Sequence, residues 1–357
     1  MNKLINIPLV ALLLFATMSC SKEEPVDVKP QGEEITFNNA RTRATYTKLS
    51  DITEFGIYAQ MSDEPDPNYQ QSNDVEYTHI LVGTDGKGVK VYDIADDDPD
   101  MGYVYDDIAY WVDQRTFHFF GYWPYSTVAR KAPNGLSYEL VFEVEKLSDY
   151  ETKTDDLLTF HYTTVYTQGN ATTVDVNFKH ALSKVTFSMS QDFTKNPFDR
   201  FNVTSVTLTP IMSGGTYTTP RYNDGDDGEW HYSDNRLNFS RTFPAINPED
   251  PNPQFKSDVN NLSIFKDLKL VPQKIESGTI GLVVKYTYEQ GTPNGGSVEY
   301  TDPVEKTAST FLPVGEWKPG KMYHYKMSLY QDNLIVFKNI DISPWGEQPD
   351  AGTIIIK

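Results

Sequence analysis

Residues 174–188 read VDVNFKHALSKVTFS, a run in which apolar and polar side chains largely alternate. Alternation with a period of two is typical of a β-strand, because successive side chains of a strand point to opposite faces of a sheet. Comparable short runs recur along the chain, with turn sequences such as Pro133-Asn134-Gly135 between them. They lie at residues 54–60, 88–93, 116–123, 138–144, 203–209, 279–288, 322–329 and 334–342. The sequence therefore predicts a protein built from strands.

The predicted strands favour antiparallel sheets. No window of helical length has apolar residues at helical spacing, so no connecting helices are expected. Strands that are separated only by turns favour antiparallel sheets that pack face to face. Because the chain is long for one such sandwich, we expect two sandwiches in series. No repeat of fixed period is evident, which argues against a propeller or a solenoid.

Charge and composition argue against a nucleic-acid partner and favour an extracellular environment. The 357 residues include 50 acidic and 31 basic side chains, which gives a formal net charge of −19. This charge would repel phosphate groups, so no nucleic-acid partner is predicted. Aromatic residues make up 13% of the chain. Together with many Thr, Asn, Asp, Gly and Pro residues, this is typical of a β-rich extracellular protein.

The N-terminal segment has the layout of a secretory signal that ends at a cysteine. Lys3 precedes a largely apolar run, residues 4–16, and a small residue comes directly before Cys20. We interpret residues 1–19 as a signal peptide and Cys20, the only cysteine, as a lipid-bearing N-terminus on a membrane. The residues before it lack the leucine that usually stands three positions before such a cysteine. The alternative is an ordinary cleaved signal followed by a chance cysteine.

The residues after Cys20 are polar and predict a flexible tether over residues 20–34. Its first residues, Ser21-Lys22-Glu23-Glu24, resemble the tag of lipoproteins that some Gram-negative bacteria move to the outside of the outer membrane. We therefore expect a surface-exposed lipoprotein of the outer membrane.

No pattern of catalytic or metal-binding residues is evident. The six histidines form no HExxH or similar ligand pair, and His118 and His324 lie in alternating aromatic runs typical of a core or sheet face. Residues 96–100 and 223–229 are rich in carboxylates, but the second segment fails the EF-hand spacing. We interpret both as solvated loops. The sequence predicts no catalytic residue, no metal and no cofactor, and hence no enzyme.

Two other functions are alternatives to a non-enzymatic structural role. Exposed Trp123, Trp230 or Trp345 could stack on sugar rings, which would make the chain a monomeric glycan-binding surface lipoprotein. Because most of the aromatic residues lie in alternating strands, packing in a core is favoured for them. A hydrolase with a pair of carboxylates is the third alternative, and it needs two carboxylates that converge in space.

Several blocks resemble the fimbrillin-like proteins, which are subunits of the type V pili of some anaerobic Gram-negative bacteria. The resemblance begins with the lipoprotein signal and covers nearly the whole chain. The most specific blocks are Phe178-Lys179-His180-Ala181-Leu182-Ser183-Lys184-Val185 and Trp317-Lys318-Pro319-Gly320-Lys321-Met322-Tyr323-His324-Tyr325. Shorter matches lie at residues 35–37, 41–44, 55–59, 110–111, 122–124, 156–158 and 342–345.

The resemblance implies an all-β fold of two transthyretin-like antiparallel sandwiches. It places the boundary between residues 164 and 173, which gives an N-terminal sandwich of residues 35–168 and a C-terminal sandwich of residues 169–357. It also implies assembly by donor-strand exchange, in which an arginine-specific protease removes the first strand and a segment of a neighbouring subunit replaces it. Residues 35–38 are predicted to form that strand.

Arg41 and Arg43 are the candidate cleavage positions, since they follow the first strand in a Thr- and Ala-rich segment. The alternative is that they are ordinary loop arginines. The candidate donor strand is Thr353-Ile354-Ile355-Ile356 after a linker-like stretch. The alternative is that this end completes its own second sandwich. The expected partners are other fimbrial subunits, the outer membrane and the protease, and the expected location after processing is the fimbria.

Overall fold

The computed structural model describes residues 32–42, 52–64, 76–93, 103–131, 137–144, 156–170, 173–192, 196–220, 228–244, 262–345 and 353–355. Within these ranges every regular element is a strand, so the all-β prediction is confirmed. The described part of the chain has no helix that is long and apolar enough to cross a membrane.

The strands of the first half are β1 (Phe37–Thr42), β2 (Glu54–Ser62), β3 (Tyr77–Leu81), β4 (Val89–Asp93), β5 (Tyr103–Tyr105), β6 (Thr116–Trp123), β7 (Val128–Lys131), β8 (Tyr138–Glu143), β9 (Leu158–Val165) and β10 (Val174–His180). The second half begins with β11 (Ser183–Asp192), β12 (Arg200–Met212), β13 (Gly214–Thr218), β14 (Glu229–Tyr232), β15 (Arg236–Thr242), β16 (Leu262–Leu270) and β17 (Gln273–Ile275). The last are β18 (Gly281–Glu289), β19 (Gly291–Asn294), β20 (Ser297–Tyr300), β21 (Val304–Phe311), β22 (Gly315–Trp317), β23 (Lys321–Tyr330), β24 (Ile335–Pro344) and β25 (Thr353–Ile355).

The first half is organised by a sheet that closes on itself. Eight strands pair in the order β3-β2-β4-β5-β1-β10-β9-β6, and β6 also pairs with β2. All of these strands except β3 therefore form a ring. Alternate side chains of the ring, such as Phe55, Phe117 and Phe178, fill one apolar cluster. The alternation that the sequence shows is thus explained by an enclosed face and an outer face.

The second half contains two sheets that pack face to face. One has the order β16-β11-β23-β24-β25 and the other has the order β15-β12-β18-β21. Val185 and Tyr325 of the first sheet share an apolar cluster with Val206 and Val284 of the second. This is the arrangement of a sandwich, in which the inward side chains of both sheets form the core.

A third cluster lies where the two halves meet. It contains Tyr58 and Tyr138 of the first half together with Trp230 and Trp345 of the second. A further sheet, in the order β14-β13-β8-β7, joins strands of both halves. Strand β6 is buried along nearly its whole length because Phe117 faces the ring cluster and Phe120 faces this third cluster.

The run at residues 174–188 differs from its prediction as a single strand. It divides at Ala181 and Leu182 into β10, which lies in the ring, and β11, which lies in the sandwich. The break is fixed by hydrogen bonds, since Ala181 N–H donates to Leu157 O and Gly320 N–H donates to Leu182 O, both at 2.8–2.9 Å. The change from the ring cluster to the sandwich cluster falls at this break, after β10. The predicted bounds at residues 168 and 169, and the transthyretin-like detail, stay predictions.

Two strand pairs are parallel, although the sequence favoured antiparallel pairing throughout. These are β1 with β10 and β11 with β23. Both pairs join strands that are far apart in the sequence, so their direction is not constrained by a turn. The remaining pairs of the named strands are antiparallel.

Candidate functional site

Strand β1 completes the ring of the first half. Phe37 lies opposite Val174 of β10 in a parallel pairing and opposite Tyr103 of β5 in an antiparallel pairing. The pairing with β10 continues to Thr42, which lies opposite Phe178. Among the described strands, β1 is the one that lies between β5 and β10 in the ring. Without β1 the ring would have two unpaired edges.

The residues just before β1 extend this connection. Glu34 forms an antiparallel bridge with Tyr110. Ile35 N–H donates to Ala109 O, and Trp111 N–H donates to Glu33 O, both at 2.9 Å. Residues at both ends of the segment 33–42 are therefore paired with other parts of the first half, with an irregularity between Asn38 and Arg41.

Two side chains of the segment are part of the core. Ile35 is 1% exposed and Phe37 is 2% exposed. The ring of Phe37 makes edge contacts with Tyr105 and Phe119, with centroid distances of 5.5 and 6.0 Å. The sequence predicted a strand at residues 35–38, and the structure places these two apolar residues inside the hydrophobic cluster of the ring.

Two tyrosines that sequence reasoning missed hold the segment from the side. Tyr105 O–H donates to Ile35 O at 2.8 Å, and Tyr166 O–H donates to Glu33 Oε2 at 2.8 Å. Burial raises the pKa of Tyr105 to about 12, so its hydroxyl keeps its proton and remains a donor. The hydrogen bond to Glu33 raises the pKa of Tyr166. Nothing in the sequence distinguishes these two among 23 tyrosines.

Of the predicted processing residues, the structure describes one. Arg41 lies in β1, with its backbone opposite Asn177 of β10, rather than after the strand as the sequence suggested. Arg43 and Cys20 lie outside the described residues.

The C-terminal strand is paired within its own chain. Strand β25 runs antiparallel to β24, with Thr353 opposite Asp341 and Ile355 opposite Asn339. This arrangement agrees with the alternative in which the end completes its own sandwich. Ile356 lies outside the described residues, and the donation of this strand stays a prediction.

Two of the three tryptophans that could stack on sugar rings are largely buried. Trp230 is 8% exposed and Trp345 is 7% exposed, and both belong to the third cluster. Trp230 Nε1–H also donates to Ala181 O at 3.0 Å. Trp123 is half-buried. The rings of Trp230 and Trp345 are therefore not available for stacking on a sugar.

Within the described ranges, no group of three or more His, Cys, Asp or Glu residues could hold a metal ion. His118 is fully buried and His324 is half-buried, which confirms their placement in a core or on a sheet face. Residues 96–100 and 223–227 lie outside the described residues.

The architecture described above is shared with known structures. A fimbrial protein from Bacteroides vulgatus has a TM-score of 0.53 and 15% identity, over 87% of this chain and 99% of that one. A candidate cell adhesion protein from Bacteroides ovatus has a TM-score of 0.50 and 13% identity, over 88% of this chain and 98% of that one. At these identities the likeness shows the fold alone. The fold class is therefore one that occurs among fimbrial proteins of Bacteroides.

The family follows from a second comparison. The chain belongs to the fimbrillin-like family, whose model matches residues 42–345. This confirms the resemblance that the sequence blocks indicated. No curated protein sequence matches the chain.

Proposed function

We propose that the protein is a structural subunit of a surface fimbria and joins other subunits by exchange of its first strand. Membership of the fimbrillin-like family supports a fimbrial, non-enzymatic role. The observation that carries the exchange is the position of β1, which completes the ring and contains one of the two candidate cleavage arginines, Arg41.

Loss of β1 would create two deficits in the ring. The edges of β5 and β10 would lose their backbone partners, and unpaired buried N–H and C=O groups are costly. The space that Ile35 and Phe37 fill would open to water, at about 1.5–3 kcal/mol for each side chain. A strand from another subunit with apolar residues at alternate positions would correct both deficits.

The proposed donor is the C-terminal segment of residues 353–356. Ile354 and Ile356 stand two residues apart, which is the spacing of Ile35, just before β1, and Phe37, its first residue. Side chains two apart on a strand lie on the same face, so both isoleucines could point into the groove. The donor would first have to leave β24 of its own chain.

The remaining parts of the proposal concern export and place in the fimbria. Cys20 carries the lipid, an arginine-specific protease of the cell surface cuts after Arg41 or Arg43, and the product enters the fimbria. A tip subunit would need no donor segment and an anchor would escape cutting. The presence of both arginines and of the isoleucine-rich end therefore favours a stalk subunit.

The proposal is tested by assembly in vitro. The precursor is incubated with an arginine-specific protease, and SDS-resistant ladders are expected because exchanged strands resist detergent. Replacing Arg41 and Arg43 together by alanine should abolish the ladder. Arg130→Ala is the matched control, since Arg130 is an exposed arginine whose side chain pairs with Glu139. Monomers throughout, or ladders that survive the double replacement, would contradict the proposal.

A further inference from the structure

We infer that cutting the chain does not by itself free the first strand: residues 33–42 stay bound in the ring as a separate peptide until another strand displaces them. This inference rests on the proposed function, which supplies the proteolytic cut after Arg41 or Arg43. It separates two events, hydrolysis of the backbone and departure of the strand.

The hydrogen bonds of the segment lie on the N-terminal side of both candidate cuts. Glu33 and Ile35 are bonded to residues 109–111, and Val174 N–H donates to Thr36 O at 2.8 Å. The Thr36 hydroxyl donates to the Thr173 hydroxyl at 3.1 Å. A cut after Arg43 leaves all of these bonds intact. A cut after Arg41 removes from the segment only Thr42, which pairs with Phe178.

The apolar contacts of the segment lie on the same side of the cut. Ile35 and Phe37 are almost fully buried, and Phe37 contacts Tyr105 and Phe119. Departure of the segment would expose these side chains and the groove together, because no other described strand covers that part of the ring. The cut itself changes none of this burial, so departure of the segment exposes the same apolar surface after hydrolysis as before it.

The pairing of β1 indicates where displacement begins. Since β1 runs parallel to β10, its cut end lies beside Phe178 and its buried end lies beside Val174. A cut after Arg41 frees the edge of β10 at Phe178 first. A competing strand can pair there and then replace β1 step by step toward Val174, without the groove ever being empty.

The bound peptide also keeps the cut subunit attached to whatever lies before it. Cys20 is on the same fragment as residues 33–42. If it carries the proposed lipid, the cut subunit stays on the membrane through non-covalent contacts of its own first strand. Departure from the membrane then coincides with strand exchange rather than with proteolysis.

The test uses the full chain cut by an arginine-specific protease at high dilution. The monomer peak from native size-exclusion chromatography is analysed by denaturing mass spectrometry. The expected result is one N-terminal fragment, ending at Arg41 or Arg43, for each large fragment. A large fragment that elutes without its N-terminal fragment would overturn the inference. If the protease cuts at neither Arg41 nor Arg43, a variant with the recognition site of a second protease inserted after Arg43 is used. Resistance of this variant to both proteases counts against the inference.

A variant of Phe37 and a competing peptide test the same inference through the lifetime of the bound fragment. Phe37→Ala should shorten the lifetime of the bound fragment at least about tenfold, because it removes the largest buried contact. Phe198→Ala, at an exposed phenylalanine outside the ring, should leave it unchanged. If Phe37→Ala does not fold, a synthetic peptide of residues 346–357 added to the wild-type cut protein should speed release, whereas a scrambled peptide should not. Equal lifetimes in all arms would refute displacement.

The outcomes also separate this inference from the proposed function. Retention of the fragment without any ladder would support the inference and contradict polymerisation. Ladders formed from a cut protein that has already lost its fragment would support polymerisation and contradict the inference.

Discussion

The imidazole ring of His180 lies flat against the indole ring of Trp345, with centroids 4.1 Å apart and planes that differ by 1°. His180 is the last residue of β10 in the ring, and Trp345 directly follows β24 of the sandwich. The edge of the imidazole is polar, since His180 Nδ1 hydrogen-bonds to the buried carboxylate of Asp156. The stack therefore links the two halves of the molecule.

Trp345→Ala is expected to lower the free energy of unfolding by about 3–5 kcal/mol, because it empties a site in the third cluster. Urea unfolding followed by circular dichroism measures this change. Trp345→Phe, which keeps an aromatic ring over His180, should cost less. Equal stability of the alanine variant and the wild type would show that the junction contributes nothing.

Ile35→Ala is expected to lower the free energy of unfolding of the uncut chain by about 2–5 kcal/mol, since the side chain is 1% exposed. Thr36→Ala is the neighbouring control, because Thr36 is exposed and should lose less than about 1.5 kcal/mol. Chemical denaturation measures the free energy of unfolding of both variants, and the loss should be larger for Ile35→Ala. Similar small losses would mean that the segment before β1 does not hold the ring together.

Tyr105→Phe is expected to cost about 1–3 kcal/mol. The hydroxyl donates to Ile35 O and also accepts from Ala109 N–H at 3.2 Å, so its removal leaves two backbone groups without a partner. Thermal unfolding measures the loss. Hydrogen exchange of the Ala109 amide should become faster in the variant, and an unchanged rate would argue against this bond.

The buried side chain of His118 is expected to make the folded protein less stable in acid. Burial, with a contribution from nearby His161, lowers its pKa to about 3 from an ordinary value of 6.5. Between these values the unfolded chain binds a proton that the folded chain does not, so stability falls as the pH falls from 6.5 toward 3. The loss between pH 7 and pH 4 is about 2–3 kcal/mol.

This pH dependence is measured by urea unfolding at several pH values. His118→Gln should flatten the slope between pH 6.5 and pH 4, even if the variant is less stable at pH 7. His231→Gln, at an exposed histidine, should leave the slope as it is. A wild-type slope in the His118 variant would assign the acid sensitivity to other groups.

Gly56→Ala is expected to cost about 1–3 kcal/mol. A β-carbon at this position would lie 2.1 Å from a ring carbon of Tyr122, which is itself 1% exposed and has little room to move. Gly315→Ala is the control, since no atom lies closer than 4.0 Å to its added carbon. Melting temperatures of the two variants should differ by several degrees, and equal values would show that the Tyr122 ring can yield.

Much of the fold could be predicted because short runs of apolar and aromatic residues between turn sequences mark strands. The run at residues 116–123 coincides with β6, and the run at residues 54–60 lies within β2. The break near Ala181 was not predicted, because both parts of residues 174–188 have the pattern of a strand. Its only trace in the sequence is a shift of the apolar residues from even positions up to Phe178 to odd positions from Val185. What divides them is hydrogen bonding to Leu157 and Gly320, which are distant in the sequence.

The candidate site was predictable only in part for a similar reason. Ile35 and Phe37 stand out as a short apolar pair in a polar segment, so a strand there follows from composition. That this strand closes a ring depends on its partners β5 and β10, and no local pattern encodes a parallel pairing over such a distance. The Arg41 backbone is part of the strand because the register with β10 continues past Asn38, across an irregularity.

The pairing of the first strand also bears on how a newly made chain matures. Thr36 and Thr173 are in contact although 137 residues separate them. Contacts over such distances form slowly, so we expect ring closure to be among the last events of folding. Until the ring closes, the groove that Ile35 and Phe37 fill is open to any strand that can pair with β10. Under the proposed function, insertion of the chain's own first strand would end this interval and so prevent copies from joining before the cut.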